Sequence, residues 1–414
     1  AAVAATPKSR TLIAATMIAR NGPPTLTRPS AFALALAMQL PLNTNAEGAV
    51  PIPTDAYLDE YGTLYDHIGM LHDHERMASY HDAIKIHGAA QHFAGKVVLD
   101  VGAGSGVLSV WAAQAGARKV YAVEGTSVAR HAERLVKAHN LENVVTVLRG
   151  RMEEVELPEK VDVIVSEWMG YFLLRETMVT SVLHARDKWL QPNGVLYPSS
   201  VRLLLGELRD AEFVAAREAE TVDAMESWDE LTGELEQRYD LRFGALREPM
   251  EVEHEEYAYR QAWQGGVPSA AVVGEPAVLL ELDMHTATAD DLFGWQRDVT
   301  LGGGSSAGPL HGLCGWFDVA FCGRADAPAA ECTSLDTSPH APRTHWGQTA
   351  LLFKPQPSAR PVALRVGLEK SRESHHDLNF TVAYREGGED VVASYSITND
   401  FRGYTADERA KDEL

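Results

Sequence analysis

One stretch of the chain decides the fold, and it reads KVVLDVGAGSG at residues 96–106. Its β-branched beginning predicts a buried strand, and its three glycines predict a tight turn that leads into a helix. Without a Cβ, glycine lets the backbone approach a bound ligand closely. The spacing is GxGxG with Asp100 two residues before the first glycine, whereas dinucleotide sites carry GxGxxG. This form favours a ligand that has no phosphate.

Similar strand signals alternate with helical patterns around this turn. Short β-branched runs predict four parallel strands, at Lys96 to Gly102, Lys119 to Gly125, Val144 to Gly150, and Val161 to Glu167. Apolar residues at helical spacing predict helices between them, at Val107 to Ala115 and Val128 to His139. Such alternation implies right-handed crossovers. The predicted fold class is α/β, with a Rossmann-like, doubly wound domain.

Acidic residues follow the predicted strands at the edge where such sheets bind ligands. Glu124 ends the second strand and can accept hydrogen bonds from both hydroxyls of a ribose. Glu153 follows the third strand and can accept one from an adenine amino group. Either acid alone would be interpreted as solvated surface. Together with Asp100 they favour a ligand site beside the glycine turn.

The character of the chain changes after a turn signal at residues 191–194 and the pair Tyr197-Pro198. From there most segments alternate as strands do, which predicts a second, β-rich domain of β-barrel type. The exception is Ala211 to Arg238, whose composition, rich in Glu and Ala, favours a helix. We interpret it as an inserted arm that packs on another subunit. A local helix folded over its own barrel is the plainer alternative.

These changes predict the domain organisation. We expect a tail over residues 1–55, a ligand-binding α/β domain over 56–197 and a β-barrel domain over 198–414, with the helical arm at about 211–245. Residues 1–46 contain four basic residues and no acidic ones. That composition is typical of a transit peptide or of a disordered extension, and we favour the extension.

Composition limits the partners of the chain. Its 414 residues include 58 acidic and 37 basic ones, a formal net charge of −21, which disfavours nonspecific binding to nucleic acid. Acidity can serve solubility alone, but it also suits a basic partner.

The longest apolar run, Ala31 to Met38, is too short to cross a bilayer. The three cysteines, Cys314, Cys322 and Cys332, form no CxxC motif and predict reduced, non-catalytic thiols and no metal site.

Four blocks carry a more specific pattern. They are Tyr57-Leu58-Asp59-Glu60-Tyr61 with His67, Met70, Asp73 and Arg76 downstream; the glycine turn with Glu124; Ser166 to Tyr171 continuing to Glu176; and Thr344-His345-Trp346. Together they resemble the protein arginine methyltransferase family, over the chain from about Tyr57 to its end. The glycine turn is common to many methyltransferases, whereas the glutamate block and the Thr-His-Trp block are specific together. The glutamate block and the long helical insertion are most similar to the plant-type subfamily ten.

The resemblance implies S-adenosylmethionine as the cofactor and a role for each matched residue. The residues around the cofactor would be Arg76 at the methionine carboxylate, Glu124 at the ribose, Glu153 at the adenine, His67 along the wall, and Asp100, Gly102 and Gly104 at the turn.

The resemblance also implies which residues bind the target arginine. Glu167 and Glu176 would grip its guanidinium from two sides of a hairpin loop, and Asp73 would pair with His345 as the second catalytic pair. The substrate pocket would be formed by Tyr57, Tyr61, Met70, Met178 and Trp346. The two methionines resemble those of members that make asymmetric dimethylarginine, which implies a type I enzyme. The family usually has Phe where this chain has Leu58, so we expect an altered rate or pocket shape.

Two glutamates suit this target for a physical reason. A guanidinium is protonated near neutral pH and its charge is spread over three nitrogens, which makes it a poor nucleophile. Carboxylates with bidentate hydrogen bonds draw that charge to one side and leave a terminal nitrogen more reactive. Surface charge is the plainer interpretation of two such glutamates, but an acid among so many apolar neighbours needs a cationic partner. Two acceptors stay open for the released proton: Glu176 and the Asp73–His345 pair.

We therefore expect an enzyme that methylates arginine in basic proteins, such as histone tails and Arg/Gly-rich proteins, to monomethyl and asymmetric dimethyl arginine. It would act as a homodimer in the cytoplasm or nucleus, without nucleic-acid or membrane partners. A cofactor-binding scaffold without turnover and a small-molecule methyltransferase are the alternatives.

The final Lys411-Asp412-Glu413-Leu414 spells an endoplasmic-reticulum retention signal. We interpret it as coincidental, because no N-terminal stretch has the order of a signal peptide.

Overall fold

The computed structural model describes residues 61–301, 309–354, 363–372, 374–386 and 388–398. The expected tail over residues 1–55, the expected substrate residue Tyr57 and the last residues 411–414 lie outside this described part. Within it, no helix is long and apolar enough to cross a membrane.

A five-stranded parallel sheet is built around the strand that precedes the glycine turn, in the order β3-β2-β1-β4-β5. Its strands are β1 Val97–Val101, β2 Lys119–Glu124, β3 Val145–Arg149, β4 Val161–Val165 and β5 Leu190–Tyr197. All five residues of β1 are buried, as a strand covered on both faces requires. The α/β fold class is confirmed. Residues 191–194, which the sequence indicated as a turn, instead lie within β5, where its pairing with β4 shifts register.

Helices precede this sheet and connect its strands. They are α1 Ile68–His72, α2 His74–His81, two π-helical segments Asp82–His87 and Ala89–Phe93, α3 Val107–Gln114, α4 Ala129–Ala138 and α5 Val179–Trp189. Helix α3 begins directly after Gly106, and α4 buries Ala129, Ala132 and Val136. The glycine turn, the start of α3 and the ends of β1 and β2 thus share one edge of the sheet, where ligands of such folds bind.

Two antiparallel sheets make up the β-rich part that was expected as a barrel. One has the order β7-β12-β10-β6-β8 with β11 beside β10, and the other has the order β15-β14-β13-β9. The elements are β6 Ser200–Leu208, β7 Trp263–Gly265, β8 Val272–Asp283, β9 Trp295–Thr300, β10 Gly312–Arg324, β11 Ala327–Asp336, β12 Gln348–Leu352, β13 Ala363–Lys370, β14 Leu378–Glu386 and β15 Glu389–Ile397. The expected β-rich second domain is confirmed, and its sheets are antiparallel.

A helical hairpin, residues 211–260, interrupts this β-rich part. Helix α6 spans Ala211–Tyr239 and α7 spans Arg247–Arg260, and a short helix α8 follows later at Ala289–Leu292. Helix α6 begins where the Asp210 carboxylate accepts the backbone N–H groups of the first turn. The expected helix agrees with α6, but α7 corrects the sequence analysis, which predicted strand-like segments there. An ion pair between Arg247 and Asp229, at 3.0 Å, links the two helices.

The cysteines also require a correction. Cys322 and Cys332, predicted to be reduced thiols, are joined as a disulfide between β10 and β11, with their Cα atoms 4.3 Å apart. Cys314 is a free, buried thiol, and burial raises its pKa well above the ordinary value. That thiol is therefore poorly suited to form a reactive thiolate.

Candidate active site

A cavity of about 630 Å³ opens at the carboxyl edge of the parallel sheet. Its lining includes most of the predicted site residues: Tyr61, His67, Met70, Arg76, Gly102, Gly104, Glu124, Glu153, Glu167, Glu176, Met178, His345 and Trp346. Asp73 and Asp100, also predicted as site residues, are buried behind its wall and do not line it. The structure thus brings the expected cofactor and arginine residues to one place.

The glycine turn leaves room that a side chain would fill. Gly102 has a φ of +70° and Gly104 a φ of +52°, a left-handed region that favours glycine. A Cβ on Gly104 would lie 2.9 Å from Cε1 of His67, and one on Gly102 would collide with the Met178 side chain. Both positions favour glycine for conformation, and Gly104 also for space, whereas the flexible end of the Met178 side chain can move away from Gly102.

Two carboxylates brace this turn from different sides. Glu124, at the end of β2, accepts the backbone N–H groups of Gly104 and Thr126, both at 2.7 Å. Asp100, at 0% exposure, accepts a hydrogen bond from Ser109 Oγ at 2.7 Å. Burial raises the pKa of Asp100 to about 7, although the hydrogen bond from Ser109 lowers it. The negative charge of Glu124 adds to the rise. Asp100 shapes the turn from beneath it.

The remaining predicted cofactor residues lie along the cavity wall. His67 is buried, with Nε2 at 3.2 Å from the Tyr61 carbonyl oxygen. Glu153 is exposed and accepts a hydrogen bond from Ser181 Oγ at 2.6 Å. An exposed carboxylate keeps the freedom to accept from a ligand as well.

Glu167 binds a guanidinium of the chain itself. Arg76 donates to Glu167 Oε2 from Nε at 3.0 Å and from Nη2 at 2.8 Å. Its Nη1 donates to the Met70 carbonyl oxygen at 3.1 Å. Arg76 was expected at a cofactor carboxylate, and the structure shows it at Glu167, the glutamate expected to bind the target arginine. Because a guanidinium has five N–H donors, the two roles are compatible.

Glu176 lies at the end of the loop that begins with Glu167. Its Oε2 accepts the Tyr61 hydroxyl at 3.0 Å, and its Oε1 accepts Arg175 Nη1, also at 3.0 Å. Burial raises the pKa of Tyr61 well above its usual range, and the negative charge of Glu176 adds to the effect. Tyr61 therefore stays a neutral donor to this carboxylate.

Asp73 and His345 form a close pair behind these glutamates. His345 Nδ1 lies 2.7 Å from Asp73 Oδ2, and the same oxygen accepts the backbone N–H of His345 at 2.8 Å. Asp73 also caps α2 by accepting the backbone N–H of Arg76 at 2.9 Å. Burial by itself would raise the pKa of Asp73, but the hydrogen bonds from His345 and Arg76 outweigh it and hold this pKa below the ordinary value. Asp73 is thus an ionised acceptor that fixes the His345 ring.

Trp346 connects this pair to the glutamate loop. Its indole Nε1 donates to the Met169 carbonyl oxygen at 2.8 Å, and its ring lies 3.9 Å from the His345 ring, centroid to centroid. The Thr-His-Trp block therefore packs directly against the loop that carries Glu167.

Comparison with known proteins identifies the family. A sequence model described as a methyltransferase domain matches residues 98–194, and one described as the arginine methyltransferase oligomerization subdomain matches residues 213–389. Protein arginine N-methyltransferase PRMT10 of Oryza sativa subsp. japonica is 41% identical over 357 residues, which cover 83% of this chain and 93% of that protein. The Arabidopsis thaliana protein of the same name is 42% identical over 329 residues, or 77% and 84% of the two chains. The chain belongs to the protein arginine N-methyltransferase family.

Solved structures of the family share this fold. The crystal structure of Arabidopsis thaliana protein arginine methyltransferase 10 matches with a TM-score of 0.74 and 37% identity, over 83% of this chain and 100% of that one. The Trypanosoma brucei PRMT1 enzyme-prozyme heterotetrameric complex with AdoHcy matches with a TM-score of 0.67 and 30% identity, over 82% and 100%. AdoHcy is what S-adenosylmethionine becomes when it gives up its methyl group. The expected cofactor is thereby confirmed as that of the family.

The glycine turn of this chain fits that cofactor. S-adenosylmethionine carries no phosphate, and the turn presents a close, uncharged backbone at Gly102 and Gly104 with the Glu124 carboxylate beside it. Asp100 Oδ1 is buried and has no hydrogen-bond partner within the described part of the chain, so the region beneath the turn retains an acceptor. Carboxylate acceptors are what the hydroxyl groups of a ribose and the amino group of an amino acid moiety require.

Three residues that sequence reasoning missed contact the glutamate loop. Arg175 binds Glu176 and, through Nε at 3.3 Å, Asp377 Oδ1. His376 lines the cavity and binds the backbone of Glu176. Arg175 could have been noticed as a second charge inside an apolar block, whereas the turn with His376 and Asp377 carries no local signal.

Proposed function

We propose that this chain transfers methyl groups from S-adenosylmethionine to arginine side chains of basic proteins. The observation that carries the proposal is that Glu167 and Glu176, in one cavity, each bind a guanidinium group, that of Arg76 at 2.8 Å and that of Arg175 at 3.0 Å. A buried carboxylate needs a cationic partner, and a guanidinium is the cation whose fork of donors fits it best. A substrate arginine presents the same group.

The cofactor would be held by residues whose chemistry matches its parts. Gly102 and Gly104 would allow close approach, Glu124 would accept from the ribose, Glu153 from the adenine, and Arg76 would donate to the carboxylate. When bound, S-adenosylmethionine supplies a methyl group from a positively charged sulfur, and the sulfur keeps the electron pair of the broken bond.

The glutamates orient the target and shift its charge. Hydrogen bonds from the guanidinium to Glu167 and Glu176 would draw positive charge toward the carboxylates and leave the reacting nitrogen with more lone-pair character. The nitrogen sheds its proton readily once it has gained a carbon. In the Asp73–His345 pair His345 Nδ1 donates its hydrogen to the ionised Asp73 carboxylate. The other ring nitrogen, Nε2, is therefore the one that can accept a proton from the substrate. This arrangement supports the pair as proton acceptor while Glu176 stays on the guanidinium.

We further propose a type I product, monomethyl and asymmetric dimethyl arginine. Met70 and Met178 both line the cavity, and Met178 lies against Gly102 at the cofactor turn. Flexible thioether side chains can make room for a nitrogen that already carries one methyl group.

Two further features support a basic protein substrate and a homodimer. The net charge of −21 attracts Arg-rich chains such as histone tails and Arg/Gly-rich proteins. The match to the oligomerization subdomain begins at residue 213 and includes nearly the whole helical hairpin.

A methylation assay tests the proposal. The full chain is incubated with isotopically labelled S-adenosylmethionine and an Arg/Gly-rich peptide, and the peptide is analysed by mass spectrometry. We expect methylarginine, with Glu167→Gln reducing the rate by about 10²-fold or more. Glu133→Gln is the matched control, since Glu133 is an exposed glutamate paired with Arg149. Absence of methylarginine, or an unchanged rate in Glu167→Gln, would overturn the proposal.

A further inference from the structure

The backbone of Glu176 has a left-handed conformation that strains any residue other than glycine. Its φ is +80°, and that of the next residue, Thr177, is +61°. Such conformations persist where the surrounding structure holds them in place. His376 does this at Glu176: its carbonyl oxygen accepts the Glu176 N–H at 2.7 Å, and its Nδ1 donates to the Glu176 carbonyl oxygen at 2.8 Å. A carbonyl oxygen only accepts, so the ring hydrogen lies on Nδ1.

The side chain of Arg175 ties the same loop to the same turn. Its Nη1 donates to Glu176 Oε1 at 3.0 Å and its Nε donates to Asp377 Oδ1 at 3.3 Å. The Arg175 side chain is only 4% exposed, so water and salt screen these ion pairs weakly. One buried cation is therefore shared by the active-site carboxylate and a carboxylate 202 residues farther along the chain.

The turn that supplies His376 and Asp377 is itself braced. It joins β13 to β14. The backbone N–H of Ser371 donates to the Asp377 carbonyl oxygen at 2.8 Å, and that of Asp377 donates to the Ser374 carbonyl oxygen at 3.3 Å. A braced turn on a sheet holds a site residue more precisely than a loop does.

We propose that Arg175, His376 and Asp377 form a clamp that positions Glu176 for the substrate guanidinium, with Arg175 as its central positioning residue. This rests on the proposed function, in which Glu176 binds the target arginine. Because Arg175 divides its donors between Glu176 Oε1 and Asp377 Oδ1, it does not direct its whole guanidinium to Glu176, and the carboxylate keeps affinity for a second guanidinium. The clamp therefore governs the binding of the arginine substrate and leaves the cofactor turn, on other elements, unaffected.

Three variants of the full chain and a control test the clamp. Arg175→Gln removes the shared cation, Arg175→Lys keeps the charge without the fork, and Asp377→Asn removes one anionic partner. Arg202→Gln is the matched control, because Arg202 makes a bidentate pair with Asp318 outside the cavity, at 2.9 and 2.6 Å. Steady-state kinetics with an Arg/Gly-rich peptide give the KM for the peptide and the KM for S-adenosylmethionine separately.

We expect Arg175→Gln to raise the peptide KM by about tenfold, and Arg175→Lys and Asp377→Asn to raise it by a smaller factor. The KM for S-adenosylmethionine should stay within about twofold of the wild-type value, since the residues of the cofactor turn are intact. The control should match the wild type in both constants. If Arg175→Gln does not fold, as judged by circular dichroism, the other two variants carry the test.

Hydrogen exchange supplies a readout that needs no turnover. With S-adenosylhomocysteine bound, amides of residues 170–178 should exchange faster in Arg175→Gln and Asp377→Asn than in the wild type or in Arg202→Gln.

If the wild-type protein binds cofactor yet forms no methylarginine, the proposed function is overturned, and with it the assignment of the clamp to arginine binding. If the wild type is active and Arg175→Gln equals the control in peptide KM and in exchange, the clamp alone is overturned. An equal rise in both KM values also overturns it, because that pattern marks general damage.

Discussion

The guanidinium of Arg76 donates two hydrogen bonds to a single oxygen of Glu167, from Nε at 3.0 Å and from Nη2 at 2.8 Å. Both side chains are nearly buried, at 14% and 10% exposure. A buried ion pair of this kind is strongly disrupted when one partner is lost. Arg76 thus binds the carboxylate that we propose for the target arginine, and it is also the residue that we propose for the cofactor carboxylate.

Arg76→Lys should therefore weaken cofactor binding and turnover together. Lysine keeps the charge but lacks the planar fork that donates from both Nε and Nη2 to Glu167 Oε2, so we expect an increase of about tenfold in the Kd for S-adenosylhomocysteine and a fall of similar size in kcat. Isothermal titration calorimetry and steady-state kinetics measure the two effects. Arg149→Lys, which alters an exposed pair with Glu133, is the control. A change in one constant without the other would contradict the double role.

Gly104→Ala should reduce cofactor binding more than it reduces stability. The new Cβ would lie 2.9 Å from the His67 ring. The alanine would also keep a φ of +52°, which costs about 1–2 kcal/mol for a residue with a Cβ. Gly294→Ala separates the two effects, because Gly294 has a φ of +77° and nothing lies within 4 Å of its added Cβ. We expect a fall in Tm for both variants, larger for Gly104→Ala because of its contact with His67, and a large rise in the Kd for S-adenosylhomocysteine only for Gly104→Ala. Equal affinities in the two variants would refute a ligand-contacting turn.

Asp100 should make the protein less stable as the pH rises. Burial raises its folded-state pKa to about 7 from an ordinary value of 3.8, so the folded state holds a proton that the unfolded chain releases near pH 4. The free energy of unfolding then declines between about pH 4 and pH 7. Asparagine has no such proton, and Asp100→Asn should remove this part of the decline. Urea unfolding at pH 5 and pH 8 measures it, and parallel changes in the two proteins would show that Asp100 does not titrate as stated.

The sequence predicted four of the five parallel strands closely, because buried parallel strands give continuous β-branched runs that local patterns reveal. Predicted and observed strands differ by one or two residues, as at Lys96 to Gly102 against Val97–Val101. Helix α7 was missed because half of its 14 residues are charged and one is Pro249, so no apolar stripe marks it. Proline is tolerated there because it lies in the first turn of the helix.

Contacts between distant segments could not be predicted from local patterns. The disulfide between Cys322 and Cys332 depends on the register of β10 against β11, which shifts after Phe321. Likewise, the contact of Arg175 with Asp377 depends on where the turn between β13 and β14 is placed by its sheet. Residues such as Glu167 and His345 were found only because their motifs resemble those of a known family.

The tip of the helical hairpin should hold two copies of the chain together. Three large apolar residues are exposed there, Tyr239 at 64%, Leu241 at 46% and Leu246 at 47%, and such a cluster favours a protein partner. This region matches an oligomerization subdomain, and we predict a second copy of the chain as the occupant. We predict that the double substitution Leu241→Glu and Leu246→Glu yields a monomer in analytical ultracentrifugation, because it places charges in the apolar contact. Ile86→Glu is the control, because Ile86 is 57% exposed outside the hairpin, and it should not change the sedimentation of the wild type. A dimer that survives the double substitution would place the interface elsewhere.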